Sequence, residues 1–289
     1  MKIIRFFNRN GRNLCFSNSV TSVLLNTSGI RDIITGDTPL RIDNAIFIEL
    51  KKLYETENFA YSSTRGLRQI VQNDCLINGE QRNFDDNNQH DASEFLQSLV
   101  EHLLENDVCL TNYLFGSSTT AKFCRNGNCN NTDYKSQPEV IIMLPLVEYT
   151  LENNLQHYFD EEIIERKCSK CGHNEGTQVI SFSDDPELLI IQLKRFKYEN
   201  NRAHKIDSEV SVPLRLSLPS GSLYKIIGTV NHIGNSTASG HYTSTVYNEG
   251  KKNFFLVDDE QIQEIDSLND TVFGQSIAKT IYLIFYRQV

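Results

Sequence analysis

The chemistry this chain could perform is concentrated in a few residues. Cys15 lies in the run Asn10-Gly11-Arg12-Asn13-Leu14-Cys15-Phe16-Ser17-Asn18-Ser19, where a helix is expected to begin. A helix N-terminus stabilises a thiolate and lowers its pKa, which is the condition a sulfur nucleophile needs. Such a nucleophile works with a general base, and the base with an orienting group. His241 is a candidate base, in Gly234-Asn235-Ser236-Thr237-Ala238-Ser239-Gly240-His241-Tyr242, a small-residue loop running into an extended segment. Asp258 and Asp259 follow the next extended segment, Phe254 to Val257. Two neighbouring antiparallel strands would then hold imidazole and carboxylate side by side. Taken singly, Cys15 also reads as a small buried apolar residue, and Asp258-Asp259 as a solvated turn.

A second group is made of cysteines. Cys124 and Cys129 are separated by four residues and Cys168 and Cys171 by two, with Gly127 and Gly172 to ease the turns. Two such knuckles brought together give four thiolates in a tetrahedron, a closed site that is structural rather than catalytic. The first spacing is wider than the usual two residues. His173 is an alternative ligand, though a flanking position suits it better.

These residues need elements to position them. Phe16, Val20, Val23 and Leu24 fall on one helix face. Phe95, Leu96, Leu99, Val100, Leu103 and Leu104 predict a second helix, preceded by the capping pair Asp91 and Glu94. From about Asn112 the pattern turns to short extended segments: Val140 to Leu144, Val179 to Phe182, Leu188 to Phe196, Ile226 to Val230, His241 to Tyr247, Phe254 to Val257 and Thr280 to Tyr286. Helices first and strands later predict an α+β fold with antiparallel sheet. Neither an internal repeat nor a Pro- or Ser-rich linker divides the chain, so its halves are expected to share an interface.

Composition narrows the classes. With 39% hydrophobic and 22% charged residues over 289 positions, the chain has the make-up of a globular protein with a substantial core. Its 28 Lys and Arg against 37 Asp and Glu leave a net charge of −9, which argues against nucleic-acid binding and favours basic partners. Seven cysteines, an odd number, with no signal-like opening segment, point to a reducing compartment. No apolar run reaches membrane-spanning length.

Together the segments resemble the ubiquitin-specific protease family, the papain-like cysteine peptidases that remove ubiquitin. The Cys15 run is similar to the family's Cys box, and Gln89-His90-Asp91-Ala92-Ser93-Glu94-Phe95-Leu96 to its Gln-x-Asp-Ala-x-Glu-Phe-Leu box. Leu189 to Phe196 looks like a core strand, His232 to Tyr242 like the His box, Asp258-Asp259 like the acidic box, and Thr280 to Tyr286 like the closing strand. Arg12 stands where Gly is usual, Leu14 where Thr is, and Phe254 and Val257 where Trp and Phe are frequent.

The resemblance implies a papain-like fold spanning residues 1–289 as one catalytic domain. A helical thumb would cover about 1–110, zinc-bearing β fingers with part of the palm 111–185, and mainly antiparallel β palm 186–289. It implies Cys15 as nucleophile, His241 as general base, Asp258 as its orienter with Asp259 assisting, and Asn10 as oxyanion donor. Asp91 and Glu94 would pair with arginines of ubiquitin's tail, Gln89 would add a polar contact, and Tyr242 would pack on the terminal Gly-Gly backbone. The four cysteines would hold a structural zinc, and no catalytic metal is implied. The expected partners are ubiquitin and ubiquitinated proteins, the expected state a monomer, and the expected place the cytoplasm or nucleus. A non-catalytic ubiquitin-binding module of the same fold, and a protease for another ubiquitin-like modifier, are the rival readings.

Overall fold

A computed structural model describes residues 3–8, 12–36, 44–56, 62–72, 76–77, 80–81, 83–106, 116–138, 140–199, 202–236, 239–265 and 275–289. The chain opens with helices α1 (Cys15–Asn26), α2 (Ser28–Thr35), α3 (Ala45–Glu55) and α4 (Arg65–Gln72), the ribbon β1 (Leu76–Ile77) and β2 (Glu80–Gln81), and helix α5 (Ala92–Asn106). Strands β3 (Ser117–Cys124), β4 (Thr132–Pro138) and β5 (Ile142–Pro145) precede helix α6 (Leu151–Phe159). Then come β6 (Glu162–Glu165), β7 (Glu175–Asp184), β8 (Leu188–Lys194), β9 (Phe196–Glu199), β10 (Arg202–Lys205), β11 (Arg215–Ser217), β12 (Leu223–Ser236) and β13 (Ser239–Asn248). Last are β14 (Asn253–Asp258), β15 (Gln261–Ile265), the short helix α7 (Gln275–Ala278) and β16 (Ile281–Gln288). Among the described residues no helix is long and apolar enough to cross a membrane.

Helices α3 and α5 start at side-chain caps. Asn44 Oδ1 accepts from the Ile46 N–H at 2.9 Å to open α3, and Asp91 Oδ1 accepts from the N–H groups of Ser93 and Glu94 at 2.8 and 3.1 Å to open α5. Helix α1 is different: it is buried on every side, its polar residues included. Those polar groups turn back on their own helix. Ser17 Oγ donates to Leu14 O, Ser19 Oγ to Phe16 O, Thr21 Oγ1 to Ser17 O and Asn26 Nδ2 to Ser22 O, so burial leaves few of them unpaired. The helix lies close on the large sheet: a Cβ on Gly228 of β12 would stand 2.6 Å from Thr245 O and 3.1 Å from Val23 Cγ1.

That sheet has eight strands, in the order β15-β14-β13-β12-β16-β8-β5 with β11 beside β12. Strands β8 and β16 read as unbroken apolar runs because both of their faces are covered. Leu188 and Ile190 join the core that contains α1 and α5, whereas Leu189, Ile191 and Leu193 join a second core with Leu151 and Leu155 of α6. The sheet is antiparallel apart from β5 and β8, which run parallel with Ile142 opposite Ile191. The intervening α6, β6 and β7 form the long crossover that a parallel pair requires. The run Leu188 to Phe196, expected as one strand, is interrupted at Arg195. Its buried guanidinium donates to the carbonyls of Ile281, Ile206, Ser208 and Ala278 at 2.5 to 2.9 Å, and burial lowers its pKa to about 10.

The second sheet, β4-β3-β7-β6, is of another kind. Its strands are exposed or half-buried, Tyr134 and Ile163 strongly exposed, and among its described residues Ser118 and Gly176 alone are buried. It has almost no core of its own.

Candidate active site

Cys15 is the first residue of α1. The first helical hydrogen bond that reaches back past it runs from Asn18 N–H to Leu14 O at 3.0 Å. The N–H groups of Cys15, Phe16 and Ser17 therefore have no acceptor within the helix and leave partial positive charge around the thiol. Leu14, at the N-cap, makes no side-chain cap; the Thr usual at this position could have made one. The loop is held instead by amides. Leu14 N–H donates to Asn8 Oδ1 at 3.1 Å, and Asn13, at φ +50°, donates from Nδ2 to Asn87 O at 2.9 Å.

His241 and Asp258 come from adjacent strands, β13 and β14. The register pairs Ser244 with Val257, which carried one step further sets Asp258 opposite Thr243. His241 shares the face of Thr243 and is the diagonal neighbour of Asp258. Its Nε2 lies 2.6 Å from Asp258 Oδ1, which leaves Nδ1 for the sulfur. The imidazole is held well above its ordinary 6.5, at about 9. The neighbouring Cys15 is the largest cause, burial opposes it, and the bond to Asp258 adds to it. Cys15 is buried, with 3% of its surface exposed, so little water reaches the sulfur. Gln89 Nε2 donates to Cys15 Sγ at 3.6 Å.

Asp259 is spent differently. Its Oδ2 accepts from Asn8 Nδ2 at 2.6 Å and its Oδ1 from Asn18 Nδ2 at 2.8 Å, while its carbonyl accepts from Phe6 N–H at 3.0 Å. Burial raises its pKa against these donors. It fastens α1 to the β14–β15 turn, a task that puts the residue itself at φ +49°.

Asp91 is buried too. While Oδ1 caps α5, Oδ2 accepts from the hydroxyls of Tyr242 at 3.2 Å and Tyr282 at 2.9 Å. Tyr282 in turn accepts from Gln192 Nε2 at 2.8 Å, and Ser93 Oγ donates to Gln192 Oε1 at 2.8 Å. Burial raises the Asp91 pKa despite these donors. Asp91 and Tyr242 are thus interior supports. Gln89 and Glu94, both half-buried, are the members of the expected tail-binding set that reach the surface. Behind His241, the buried His232 packs on Tyr242, ring centroids 4.7 Å apart, and neither ring nitrogen has a hydrogen-bond partner among the described residues. Burial, then Lys205 and His241, lower its pKa to about 4. A Cβ on Gly240, at φ +154°, would stand 2.6 Å from His232 Nε2, so this ring shapes the loop ahead of His241 and requires glycine there.

The sequence brought Cys15, His241, Asp258, Asp259, Gln89, Asp91, Glu94 and Tyr242 into view, whereas Asn10 lies outside the described residues. It did not show the roles of Asn8, Asn18, Gln192 or Tyr282. Asn18 carried one usable signal, as a polar residue on a helix that proves to be wholly buried.

The four cysteines meet at one end of the second sheet. Cys124 ends β3, Cys129 follows in the loop to β4, and Cys168 and Cys171 lie between β6 and β7. Their sulfurs all lie within 4.8 Å of one another, with Cys124–Cys171 at 3.6 Å and Cys129–Cys168 at 3.8 Å. A tetrahedron with metal–sulfur bonds of about 2.3 Å has edges of about 3.8 Å, so the donor set fits zinc. Backbone N–H groups of Cys171 and Lys170 lower the Cys168 pKa to about 6, whereas Cys124 and Cys129 beside it are raised.

Residues 8–286 match the family model described as ubiquitin carboxyl-terminal hydrolase. Among curated relatives, ubiquitin carboxyl-terminal hydrolase 9 of Saccharomyces cerevisiae is 26% identical over 278 residues, covering 83% of this chain and 36% of that protein. Ubiquitin carboxyl-terminal hydrolase 12 of the same yeast is 32% identical over 152 residues, 47% of this chain and 12% of that protein. The chain therefore spans about a third or less of the length of these relatives. A solved structure described as the SAGA Ubp8/Sgf11/Sus1/Sgf73 DUB module bound to ubiquitin aldehyde superposes with a TM-score of 0.75 at 21% identity, covering 99% of this chain and 69% of that one, and shows the same fold. A cysteine on a helix start, a histidine and an aspartate on paired strands, and a family match over nearly the whole length lead to one conclusion: the chain belongs to the ubiquitin carboxyl-terminal hydrolase family.

Proposed function

We propose that this chain is a cysteine-type deubiquitinase that cleaves the isopeptide or peptide bond after the last glycine of ubiquitin. The observation that carries the reading is His241, hydrogen-bonded to Asp258 and held well above its ordinary pKa by Cys15 and Asp258. The Cys15 thiolate attacks the glycine carbonyl carbon, and the resulting oxyanion faces the N–H groups at the start of α1, with Asn10 as the expected side-chain donor. The imidazolium of His241 gives its proton to the leaving amine as the C–N bond breaks, and a thioester remains. Water then attacks, His241 takes its proton, and ubiquitin leaves with a free carboxylate. Asp258 keeps the imidazole oriented throughout.

The substrate's arginine-bearing tail would meet Glu94 at the cleft, with Asp91 and Tyr242 holding the wall behind it. The helical part, the exposed four-stranded sheet and the large sheet are the proposed thumb, fingers and palm of one catalytic domain. Cys124, Cys129, Cys168 and Cys171 would hold zinc, which when bound ties the ends of β3, β6 and β7 together. An intracellular, reducing location keeps all of these thiols available.

A ubiquitin probe with a C-terminal electrophile tests the reading. A covalent adduct on the intact chain, lost in Cys15→Ala, is expected. A chain that binds ubiquitin without forming the adduct would be a binding module, and one that reacts only with a probe built on another modifier would be that modifier's protease.

A further inference from the structure

Gln89 was expected at the substrate's tail, but its amide points at the reacting atom. We propose that Gln89 is a catalytic residue in its own right: its Nε2–H donates to the Cys15 sulfur and holds it as a thiolate before substrate arrives. The proposal rests on the reading of Cys15 as nucleophile.

Three features carry it. The first is the contact itself, 3.6 Å from Nε2 to Sγ, a normal length for an N–H group bonded to so large an acceptor. An amide nitrogen has only protons to offer, so the direction of the bond is settled by chemistry. The second is need. Cys15 is buried, and a thiolate withdrawn from water is stable only when protein donors replace the solvent. His241 is one such donor and gives up its proton during the reaction. Gln89 keeps its protons and can serve through the whole cycle.

The third is the mounting. Gln89 sits in a short segment tied to Cys15 from both sides. Asn13, two residues before the cysteine, donates to Asn87 O at 2.9 Å. The His90 ring lies edge-on to Phe16, the residue after the cysteine, with centroids 5.2 Å apart. Within the segment, Asp86 Oδ1 accepts from Asn88 N–H at 2.8 Å and meets His90 Nε2 at 2.7 Å, and Asp86 Oδ2 accepts from Asn88 Nδ2 at 2.7 Å. A side chain that only brushed a substrate tail would not need its backbone registered against the nucleophile at two points.

The test uses an electrophile with no ubiquitin attached. Iodoacetamide alkylation of Cys15, followed across pH by peptide mass spectrometry, reports the thiolate directly and is blind to tail contacts. In the full chain, Gln89→Met, which keeps the length and removes the donor, is expected to raise the pH midpoint and slow alkylation at pH 6 by roughly tenfold. Gln89→Glu, of the same shape but anionic, should raise the midpoint further. For hydrolysis of a fluorogenic ubiquitin C-terminal conjugate, kcat should fall in both variants with KM within about twofold of the wild type. Alkylation profiles superimposable on wild type, with the loss appearing in KM, would overturn the proposal and return Gln89 to the tail. A lowered melting temperature with an unchanged midpoint would overturn it in favour of a purely structural role. Hydrolysis that survives in Cys15→Ala would instead sink the nucleophile reading itself.

Discussion

His241 keeps its proton to about pH 9 because two acceptors face it, sulfur first and carboxylate second. A group whose pKa rises on folding binds its proton more tightly in the native state. Its contribution to stability is therefore complete below its ordinary 6.5 and fades as the pH climbs through 9. The same titration should set the alkaline limb of kcat near pH 9, where the imidazolium needed by the leaving amine disappears. Removing the carboxylate in Asp258→Ala should lower kcat by about a hundredfold and move that limb to lower pH. The limb should stay above the free-imidazole value, because Cys15 remains. A pH–rate profile of the variant checks both. These residues could be read from sequence because reactive types are scarce and their order is telling. Asn8 and Asn18 could not, since an amide takes its meaning from the partner that folding supplies, here Asp259 from the far end of the chain.

At the scale of elements, the start of α5 is where helix and sheet are joined. Asp91 accepts from two backbone N–H groups and two tyrosine hydroxyls of β13 and β16, so its removal strands several buried donors at once. Asp91→Ala should destabilise the chain by about 3 kcal/mol, and Tyr282→Phe, which removes one hydroxyl, by about 1 kcal/mol; thermal or urea melts measure both. The cap at Asp91 was legible from Asp91 and Glu94 alone. Its tyrosine partners were not, since they depend on sheet order. The β4-β3-β7-β6 sheet escaped notice in part because its strands are rich in Ser, Thr, Lys and Gln and bury almost nothing. A sheet with so little core leans on its cysteine end. Chelation should speed amide exchange in β3, β6 and β7 while β8 and β16 keep their protection.

For the molecule as a whole, the large sheet is the wall between two cores, and β16 is an interior member, paired with β12 on one side and β8 on the other. Ile284 sits wholly buried on the α6 side. Ile284→Asp should therefore unfold the chain as a unit rather than loosen one layer; loss of the native circular dichroism signal and of probe labelling together would show it. Helices followed by strands made the α+β class legible, and the strand-length apolar run near the end marked β16 as buried. Where that strand would slot in was not legible, because pairing order is decided by long-range contacts that no local pattern encodes.

The placement of β16 also bears on how the chain is made. Strands β8 and β12 leave the ribosome with bare edges facing each other across a gap that only residues 281–288 can fill. Until that stretch has been synthesised, β12 to β15, which carry the imidazole, are not joined to β8 and β5. The nascent polypeptide should therefore depend on chaperones to keep two sticky margins from pairing with the wrong neighbour.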